Sequence, residues 1–249
     1  MLSKAQITLI SSLQNKKFRK QHGLFIVEGI KSVIEFLSSS YQVDSIFYTE
    51  DVLAKVGKIS GNIKSYVLTE KEFEKISALK SPQGILALVH IPKQAELNVL
   101  DFKAKHTLLL DDIQDPGNLG TIIRTAEWFG FQHIICSIGT VDAYNPKVVQ
   151  ATMGSLSRTQ VHYIDLKTFI LEAKIPVFGA LLNGDSIYHT DWTNEGFIVL
   201  GNEGNGISDE IIALVDKPIT IPRIGEAESL NVAVATTIFC SEIARLKKL

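Results

Sequence analysis

The chain has 249 residues, of which 45% are hydrophobic and 21% are charged, and its formal net charge is −2. This length and composition exclude a disordered or fibrous protein and allow one large α/β domain or two smaller ones. The apolar runs are too short to cross a bilayer, and the first residues lack the pattern of a secretion signal, so we expect a cytoplasmic protein without a membrane partner.

The cysteine and histidine content predicts no metal site. Cys136 and Cys240 are far apart in sequence and both lie in apolar surroundings, which is typical of buried, reduced thiols. The six histidines are scattered without the spacing of metal ligands. We therefore expect a protein that works without a bound metal.

The N-terminal part, residues 1–92, predicts a small α/β domain. Helices are expected at 3–20, 29–37, 51–56 and 70–79, and strands at 24–27, 43–48, 64–68 and 84–91. Thr69 and Glu72 have the spacing of a capping box at the start of the fourth helix. Residues 93–104 follow as a linker.

A basic cluster lies at the end of the first predicted helix. The first 40 residues contain six lysines and arginines against two glutamates, and four of the six are Lys16, Lys17, Arg19 and Lys20. Such a cluster can neutralise RNA phosphates, although a solvated helix end produces the same pattern. We take these four side chains as candidate RNA contacts.

The C-terminal part, residues 105–249, alternates strands and helices and predicts a parallel sheet with helices on both faces. Strands are expected at 106–110, 133–137, 159–163, 176–180, 197–200 and 218–221, and the clearest helices at 166–173, 209–215 and 231–249. Ligands bind at the carboxyl ends of the strands in such sheets.

The first motif, DDIQDPGNLGTIIRTAEWFG at residues 111–130, indicates a strand, a turn and a helix. Asn118 stands where an N-cap is expected, and the free N–H groups of such a helix start can face an anion. Arg124 follows about two turns later, away from the apolar stripe of Ile122 and Ala126. Taken alone, this segment is also explained by a helix that has an ordinary asparagine cap and an exposed arginine without a role in function.

Two further motifs follow predicted strands. Residues 197–208, FIVLGNEGNGIS, lead into a glycine-rich loop that carries Glu203 and matches neither the dinucleotide-binding nor the P-loop pattern. Residues 219–235, ITIPRIGEAESLNVAVA, place Ser229 and Asn231 before the last helix, where either can act as its N-cap.

In residues, order and spacing, the three motifs resemble those of the SpoU-type (TrmH-like) RNA 2′-O-ribose methyltransferases of the SPOUT superfamily, over roughly residues 105–249. The segment HGLFIVEG at 22–29 is similar to the substrate-binding domain that precedes the catalytic domain in several of these enzymes. The resemblance implies a trefoil knot, a homodimer, S-adenosylmethionine as cofactor and structured RNA as substrate, with rRNA favoured over tRNA.

The resemblance also implies roles for individual residues. The implied catalytic set is Arg124, Asn118, Glu203, Ser229 and Asn231. The implied cofactor pocket contains Leu182, Gly201, Asn202, Gly204, Ile221 and Leu230. Because guanidinium stays protonated in proteins, we expect Arg124 to stabilise the developing alkoxide and hold a phosphate, not to accept a proton. We expect Glu203 to organise the loops.

Two alternatives remain open at this point. One is a non-catalytic RNA- or ribosome-binding protein with the same fold, and the other is an unrelated nucleotide-binding α/β enzyme. Cofactor binding distinguishes the enzyme from the first alternative. Binding of S-adenosylhomocysteine without affinity for ATP or NAD distinguishes it from the second.

Overall fold

A computed structural model describes residues 2–57, 59, 61–93 and 97–246 of the chain. The helices are α1 (Lys4–Ser12), α2 (Lys16–His22), α3 (Ile30–Leu37), α4 (Glu50–Val56), α5 (Glu70–Phe73), α6 (Pro116–Trp128), α7 (Pro146–Ala151), α8 (Leu166–Ala173), α9 (Asp209–Ile212) and α10 (Val232–Leu246). The strands are β1 (Leu24–Glu28), β2 (Val43–Thr49), β3 (Lys64–Leu68), β4 (Ile85–His90), β5 (His106–Leu110), β6 (His133–Ser137), β7 (Gln160–Ile164), β8 (Val177–Ser186), β9 (Gly196–Leu200) and β10 (Lys217–Thr220).

The chain forms two compact units that are not simple halves of the sequence. The first unit contains Met1–Lys93 and Asp142–Arg158, and the second contains Gln94–Val141 and Thr159–Leu249. The sequence predicted a single boundary at the linker 93–104. It did not predict that residues 142–158 belong to the first unit. Residues 94–96 of that linker lie outside the described residues, and Val99–Phe102 forms a short 3-10 helix.

In the first unit, a four-stranded sheet has the order β1-β4-β2-β3. Strands β2 and β3 are parallel, and β4 is antiparallel to both of its neighbours. One face of this sheet packs against α1 and the α5 region, through Ile10, Leu13, Phe73 and Ile76. The small α/β domain predicted from the sequence is therefore present.

Two helices of the first unit are shorter than the sequence predicts. The helix expected at 3–20 is interrupted, because Asn15 accepts a hydrogen bond from the Lys17 N–H and starts a second helix. The helix expected at 70–79 ends its α-helical turns at Phe73. Ser77 and the backbone N–H of Ala78 instead donate hydrogen bonds to the Glu28 carboxylate, which fixes the chain in a different path.

Residues 142–158 pack as an integral part of the first unit. Arg19 and Asp142 form an ion pair with an N–O distance of 2.7 Å. The rings of Phe25 and Tyr144 lie 4.8 Å apart between centroids, and α7 packs against β1. These contacts connect the segment to the N-terminal domain by both charge and apolar packing.

The second unit contains a six-stranded sheet with the order β10-β8-β9-β5-β6-β7, and all of its neighbouring strands are parallel. Its central strands are buried along their length, as both β5 and β9 show. Parallel strands present their carboxyl ends at one edge of the sheet, and the three motifs follow β5, β9 and β10 there. The predicted parallel α/β fold is confirmed, whereas the knot stays a prediction from the resemblance.

The two cysteines are buried and unpaired, as the sequence predicts. Burial raises the pKa of both thiols, that of Cys240 to about 12, so both are unreactive at neutral pH. Within the described residues, no helix is long and apolar enough to span a membrane. Within the same residues, we find no group of three or more histidine, cysteine, aspartate or glutamate side chains that could hold a metal ion.

Candidate active site

Helix α6 begins at an Asp-Pro pair, and its cap differs from the predicted one. The Asp115 carboxylate accepts a hydrogen bond from the Asn118 N–H at 2.8 Å, and Pro116 occupies the first helical position. Asp before Pro is a strong helix start, since the carboxylate accepts from the first turn and proline fixes φ. The prediction of Asn118 as the N-cap was therefore wrong by three residues, and its side chain is left available for other contacts.

Asn118 joins the three motifs through its side-chain amide. Its Nδ2 donates to Glu203 Oε1 at 2.9 Å, and its Oδ1 accepts from Asn231 Nδ2 at 2.9 Å. The orientation of the amide is fixed by its partners, because a carboxylate can only accept. We call this hydrogen-bonded chain of Glu203, Asn118 and Asn231 the motif bridge.

The carboxylate of Glu203 also contacts the backbone before α6. It accepts hydrogen bonds from the N–H groups of Gln114 and Asp115, each at 3.4 Å. Together with the Asn118 amide, these donors surround the carboxylate. This arrangement fits the loop-organising role expected for Glu203.

The glycine-rich loop is a closed turn after β9. Asn202 and Gly206 exchange two backbone hydrogen bonds of 2.9 and 3.0 Å. Gly206 has a φ of +71°, and a Cβ on Gly201 would lie 2.1 Å from the Gly206 carbonyl carbon. The turn itself therefore requires glycine at these two positions.

The Asn202 side chain is directed into this loop. Its Oδ1 accepts from the N–H groups of Gly204 and Asn205 at 2.8 and 3.1 Å, and its Nδ2 donates to the Asp112 carbonyl at 2.7 Å. Its side-chain amide and its backbone N–H are therefore both occupied within the loop, and a contact of Asn202 with a cofactor would use the second lone pair of its backbone carbonyl.

Sequence reasoning missed two polar residues at this edge, Asp112 and Gln114. Asp112 has a φ of +59°, which is uncommon outside glycine. Gln114 Nε2 donates to Asp112 Oδ1 at 2.6 Å and to the Gly139 carbonyl at 2.8 Å. The paired aspartates before the Asp-Pro turn were the available signal, because such residues favour turns and left-handed backbone.

Asn231 caps the last helix. Its Oδ1 accepts from the N–H groups of Ala233 and Val234 at 2.9 and 3.3 Å. Ser229 and Leu230 precede it in an exposed segment, and the Ser229 hydroxyl has no hydrogen-bond partner among the described residues. Of the two cap candidates in the sequence, the structure assigns this position to Asn231 and leaves Ser229 free.

Arg124 is exposed on α6. Among the described residues, its guanidinium has no hydrogen-bond or ion-pair partner. The backbone of the helix is held in place by packing against α10, where the hydroxyls of Thr125 and Thr237 lie 3.4 Å apart. The five donors of this side chain are therefore available to an external anion.

The residues expected around the cofactor come from three parts of the second unit: Leu182 from β8, Gly201, Asn202 and Gly204 from the loop after β9, and Ile221 and Leu230 from the segment after β10. Leu182 is 70% exposed and Leu230 is 49% exposed, while Ile221 is half-buried. The Leu182 carbonyl accepts from Thr220 Oγ1 at 3.1 Å, which ties β8 to the end of β10. Exposed apolar side chains beside glycine-rich backbone fit S-adenosylmethionine, which has an apolar adenine face and polar edges.

The basic cluster separates into exposed and buried members. Lys16, Lys17 and Lys20 are exposed on α2, whereas Arg19 is only 2% exposed. Arg19 Nε and Nη2 donate to Asp142 Oδ2 at 3.1 and 2.7 Å, and Nη1 donates to two backbone carbonyls. The prediction of Arg19 as an RNA contact is therefore corrected, since its guanidinium is occupied within the protein.

Comparison with known proteins identifies a family for each part of the chain. Residues 105–241 match the model of the SpoU rRNA Methylase family, and residues 4–87 match the MRM3-like substrate binding domain. A 23S rRNA (guanosine(2553)-2′-O)-methyltransferase of Bacillus subtilis, RlmP, is 34% identical over 91% of this chain and 90% of its own length.

Solved structures show the same fold. One from Porphyromonas gingivalis, assigned to the TrmH family of RNA methyltransferases, has a TM-score of 0.89 at 40% identity and covers 99% of both chains. An AdoMet-bound rRNA methyltransferase from Sinorhizobium meliloti has a TM-score of 0.86 at 29% identity, over 100% of this chain and 97% of its own.

The fold, the three motifs and these relatives define the class of protein: an S-adenosylmethionine-dependent RNA 2′-O-ribose methyltransferase. Within this class, the chain belongs to the SpoU rRNA methylase family.

Proposed function

We propose that this enzyme methylates a ribose 2′-hydroxyl of ribosomal RNA, with the motif bridge and Arg124 as its catalytic centre. The observation that carries the proposal is the motif bridge, in which residues of three separate motifs meet through side-chain hydrogen bonds. Ribosomal RNA is favoured over tRNA because the Bacillus subtilis relative is a 23S rRNA methyltransferase. A ribosomal substrate also supports the expected cytoplasmic location.

Arg124 acts on the substrate oxygen in this proposal. The guanidinium is exposed and has no partner among the described residues, so it can bind the phosphate beside the target ribose without first breaking an internal contact. Its fixed positive charge stabilises negative charge that develops on the 2′-oxygen. The planar fork of donors also restricts the orientation of the nucleotide.

The cofactor would be held at the carboxyl edge of the sheet by Leu182, Gly201, Asn202, Gly204, Ile221 and Leu230. When bound, S-adenosylmethionine supplies an electrophilic methyl group on a sulfonium. The motif bridge would keep the glycine-rich loop and the start of α10 in fixed positions, and Ser229 would offer its free hydroxyl to the nucleotide. This preorganisation lowers the cost of aligning the reacting groups.

The first unit would bind the RNA outside the target nucleotide. Lys16, Lys17 and Lys20 are exposed on one short helix and can neutralise phosphates. The proposed division of labour assigns RNA recognition to residues 1–93 with 142–158, and catalysis to the rest of the chain. This replaces the simpler boundary at residues 92 and 105 expected from the sequence.

Single-turnover methyl transfer tests the activity. The substrate is rRNA from cells that lack the protein, the cofactor carries a radioactive methyl group, and ribose methylation is mapped at nucleotide resolution. We expect one or a few sites to gain the methyl group with the wild type, and transfer to the same sites to be on the order of a hundredfold slower with Arg124→Ala. The absence of both cofactor binding and methyl transfer to rRNA or tRNA would support the alternative of a non-catalytic RNA-binding protein.

The enzyme is also proposed to be a homodimer. Trp128 on α6 is 81% exposed and Val234 on α10 is 49% exposed, and these two helices pack against each other. Large apolar side chains in such positions are typical of interfaces. Val232 and Phe239 on α10, in contrast, are buried in the core.

Sedimentation at several protein concentrations tests the dimer. We expect the wild type to sediment as a dimer and Trp128→Glu to sediment as a monomer with unchanged secondary structure. A matched control is Leu171→Glu, because Leu171 is 55% exposed on α8. If the wild type is a monomer at micromolar concentration, the dimer proposal is wrong.

A further inference from the structure

The first unit contains a polar hollow that has no part in the chemistry described above. Its volume is about 450 Å³, and its lining comes from the loop after α5 and from α7. The lining residues are Ala78, Leu79, Lys80, Ser81, Gln83 and Gln150. None of them is acidic, so the hollow suits neither a metal cation nor a basic peptide.

The polar side chains of this hollow have unused hydrogen-bonding capacity. Among the described residues, Lys80 has no acidic partner and the Gln150 amide has no hydrogen bond. Gln83 uses its Oε1 to accept from the Ile30 N–H at 3.1 Å, which leaves its Nε2 available. The hollow therefore offers one positive charge and two carboxamides to a ligand.

The walls of the hollow are fixed by contacts behind them. The Glu28 carboxylate accepts hydrogen bonds from Ser77 and Ala78 at the start of the loop. On the other side, the Arg19–Asp142 ion pair and the packing of Tyr144 on Phe25 hold the segment that leads into α7. The fixed backbone lowers the entropic cost of binding only for the main chain, and the exposed side chains still lose rotamer freedom when a ligand binds.

We propose that this hollow binds one unpaired nucleotide of the RNA substrate, which deepens the proposed function and rests on it. Lys80 contacts the phosphate, and the carboxamides of Gln83 and Gln150 pair with the base edge, as such side chains do in base readout. Proteins read RNA sequence mostly at unpaired bases, because the major groove of an RNA duplex is too deep and narrow for side chains to read. A volume of about 450 Å³ is within the range of small-ligand sites.

The path of the RNA from the hollow follows α7. Lys147 lies three residues before Gln150, so both are on the same face of this helix, and both are exposed. Lys147 can neutralise the phosphate next to the bound nucleotide. The segment 142–158 thus contributes recognition residues to the first unit, although its sequence lies within the range of the SpoU family match.

Binding of fluorescent RNA by the full-length protein tests the proposal. The probes are eight-nucleotide single strands of U, of A and of mixed sequence, and a blunt RNA duplex with the mixed sequence. We expect Lys80→Gln to weaken single-strand binding and to reduce the log–log salt slope by about 0.7, the value for one lost phosphate contact. Gln150→Ala should weaken binding about tenfold, without a change in slope, and alter the preference among the strands.

Matched controls are Lys71→Gln and Gln42→Ala, since both residues are exposed in the same unit and neither lines the hollow. Neither should change RNA binding. Equal losses for the duplex and the single strand would overturn the unpaired-nucleotide proposal, and unchanged binding in both hollow variants would overturn the site. Methyl transfer by the wild type is measured in parallel, so a failure of the hollow is distinguished from a failure of the proposed activity.

Discussion

The side chain of Asn118 donates to Glu203 across 85 residues of sequence, with 2.9 Å between Nδ2 and Oε1. The same amide accepts from Asn231, so a change in any of the three side chains alters the contacts of the other two. This coupling means that single substitutions in the motif bridge should have effects that do not add.

Arg124→Lys and Arg124→Ala should lower the rate of methyl transfer while cofactor affinity stays near that of the wild type. Lysine keeps the charge but loses the planar fork of donors, and loss of one preorganised donor costs on the order of a hundredfold in turnover. Single-turnover transfer and calorimetry with S-adenosylmethionine measure the two effects. The control is Lys167→Ala, which removes an exposed cation on α8. A collapse of cofactor affinity in both Arg124 variants would make this residue structural.

Glu203→Gln should reduce methyl transfer by about tenfold or more, because the new amide turns either a donor or a neutral acceptor toward N–H groups that contact a carboxylate. The pH dependence of the remaining activity should keep the shape of the wild-type profile, since Glu203 holds the loop and does not take the substrate proton. Rates measured between pH 6 and 9 test this. A profile that loses its dependence on pH in the variant would assign proton transfer to Glu203.

Asn231→Asp and Asn231→Ala separate the two roles of Asn231. Aspartate keeps an oxygen for the Ala233 and Val234 N–H groups, so stability should change little, but it removes the donor to Asn118. Alanine removes both, and loss of the cap costs about 1 kcal/mol. Urea unfolding and methyl transfer should therefore show a stable but slow Asp variant. Equal activity in the Asp variant and the wild type would contradict a role for this contact.

Arg19→Met should destabilise the protein by roughly 3 kcal/mol, because it leaves Asp142 without its partner in a largely buried position. The control is Lys20→Met on the same helix, where the side chain is exposed and the change should stay within about 0.5 kcal/mol. Urea unfolding measures both. The two variants should have the opposite order of effect on RNA binding. Only Lys20→Met should reduce the slope of log affinity against log salt concentration. A stable Arg19→Met variant with weak RNA binding would restore Arg19 as an RNA contact.

His162 should make stability depend on pH. Burial lowers its pKa from 6.5 to about 4, and neighbouring His133, 3.2 Å away between ring nitrogens, acts in the same direction. The unfolded chain binds the proton more readily than the folded chain. The contribution of His162 to the free energy of unfolding therefore keeps its full value above pH 6.5 and falls by at most about 3 kcal/mol as the pH drops toward 4. His162→Phe should reduce the difference in unfolding free energy between pH 7.5 and 4.5. An unchanged difference would assign the acid sensitivity to other groups.

The alternation of apolar strands and amphipathic helices was sufficient to predict both sheets, because burial imposes periods that are visible in one sequence. Local sequence was not sufficient to predict the burial of Arg19. Its sequence context is the same as that of its lysine neighbours, and its partner Asp142 lies 123 residues later in the chain. The same limit applies to the helix expected at 70–79, where a distant carboxylate on Glu28 redirects the chain. Contacts between residues far apart in sequence carry no local pattern.

Within the site, the motif residues were identified by their spacing, but their contacts were not. Asn118 was assigned to capping because asparagine is a frequent cap, whereas Asp115 before proline is the stronger signal and fills this position. That exchange is what frees the Asn118 amide for Glu203 and Asn231. The roles of these residues in catalysis stay predictions until the variants are measured.

The transfer of 142–158 to the first unit means that the chain passes between the two units three times, after residues 93, 141 and 158. An N-terminal piece that stops at the linker would therefore lack the helix that covers β1, and a C-terminal piece would carry Tyr144 and α7 without their packing partners. The first unit of this protein therefore cannot be exchanged as one contiguous cassette. Under the proposed division of labour, a chimaera designed to change RNA specificity has to take both stretches from the same parent.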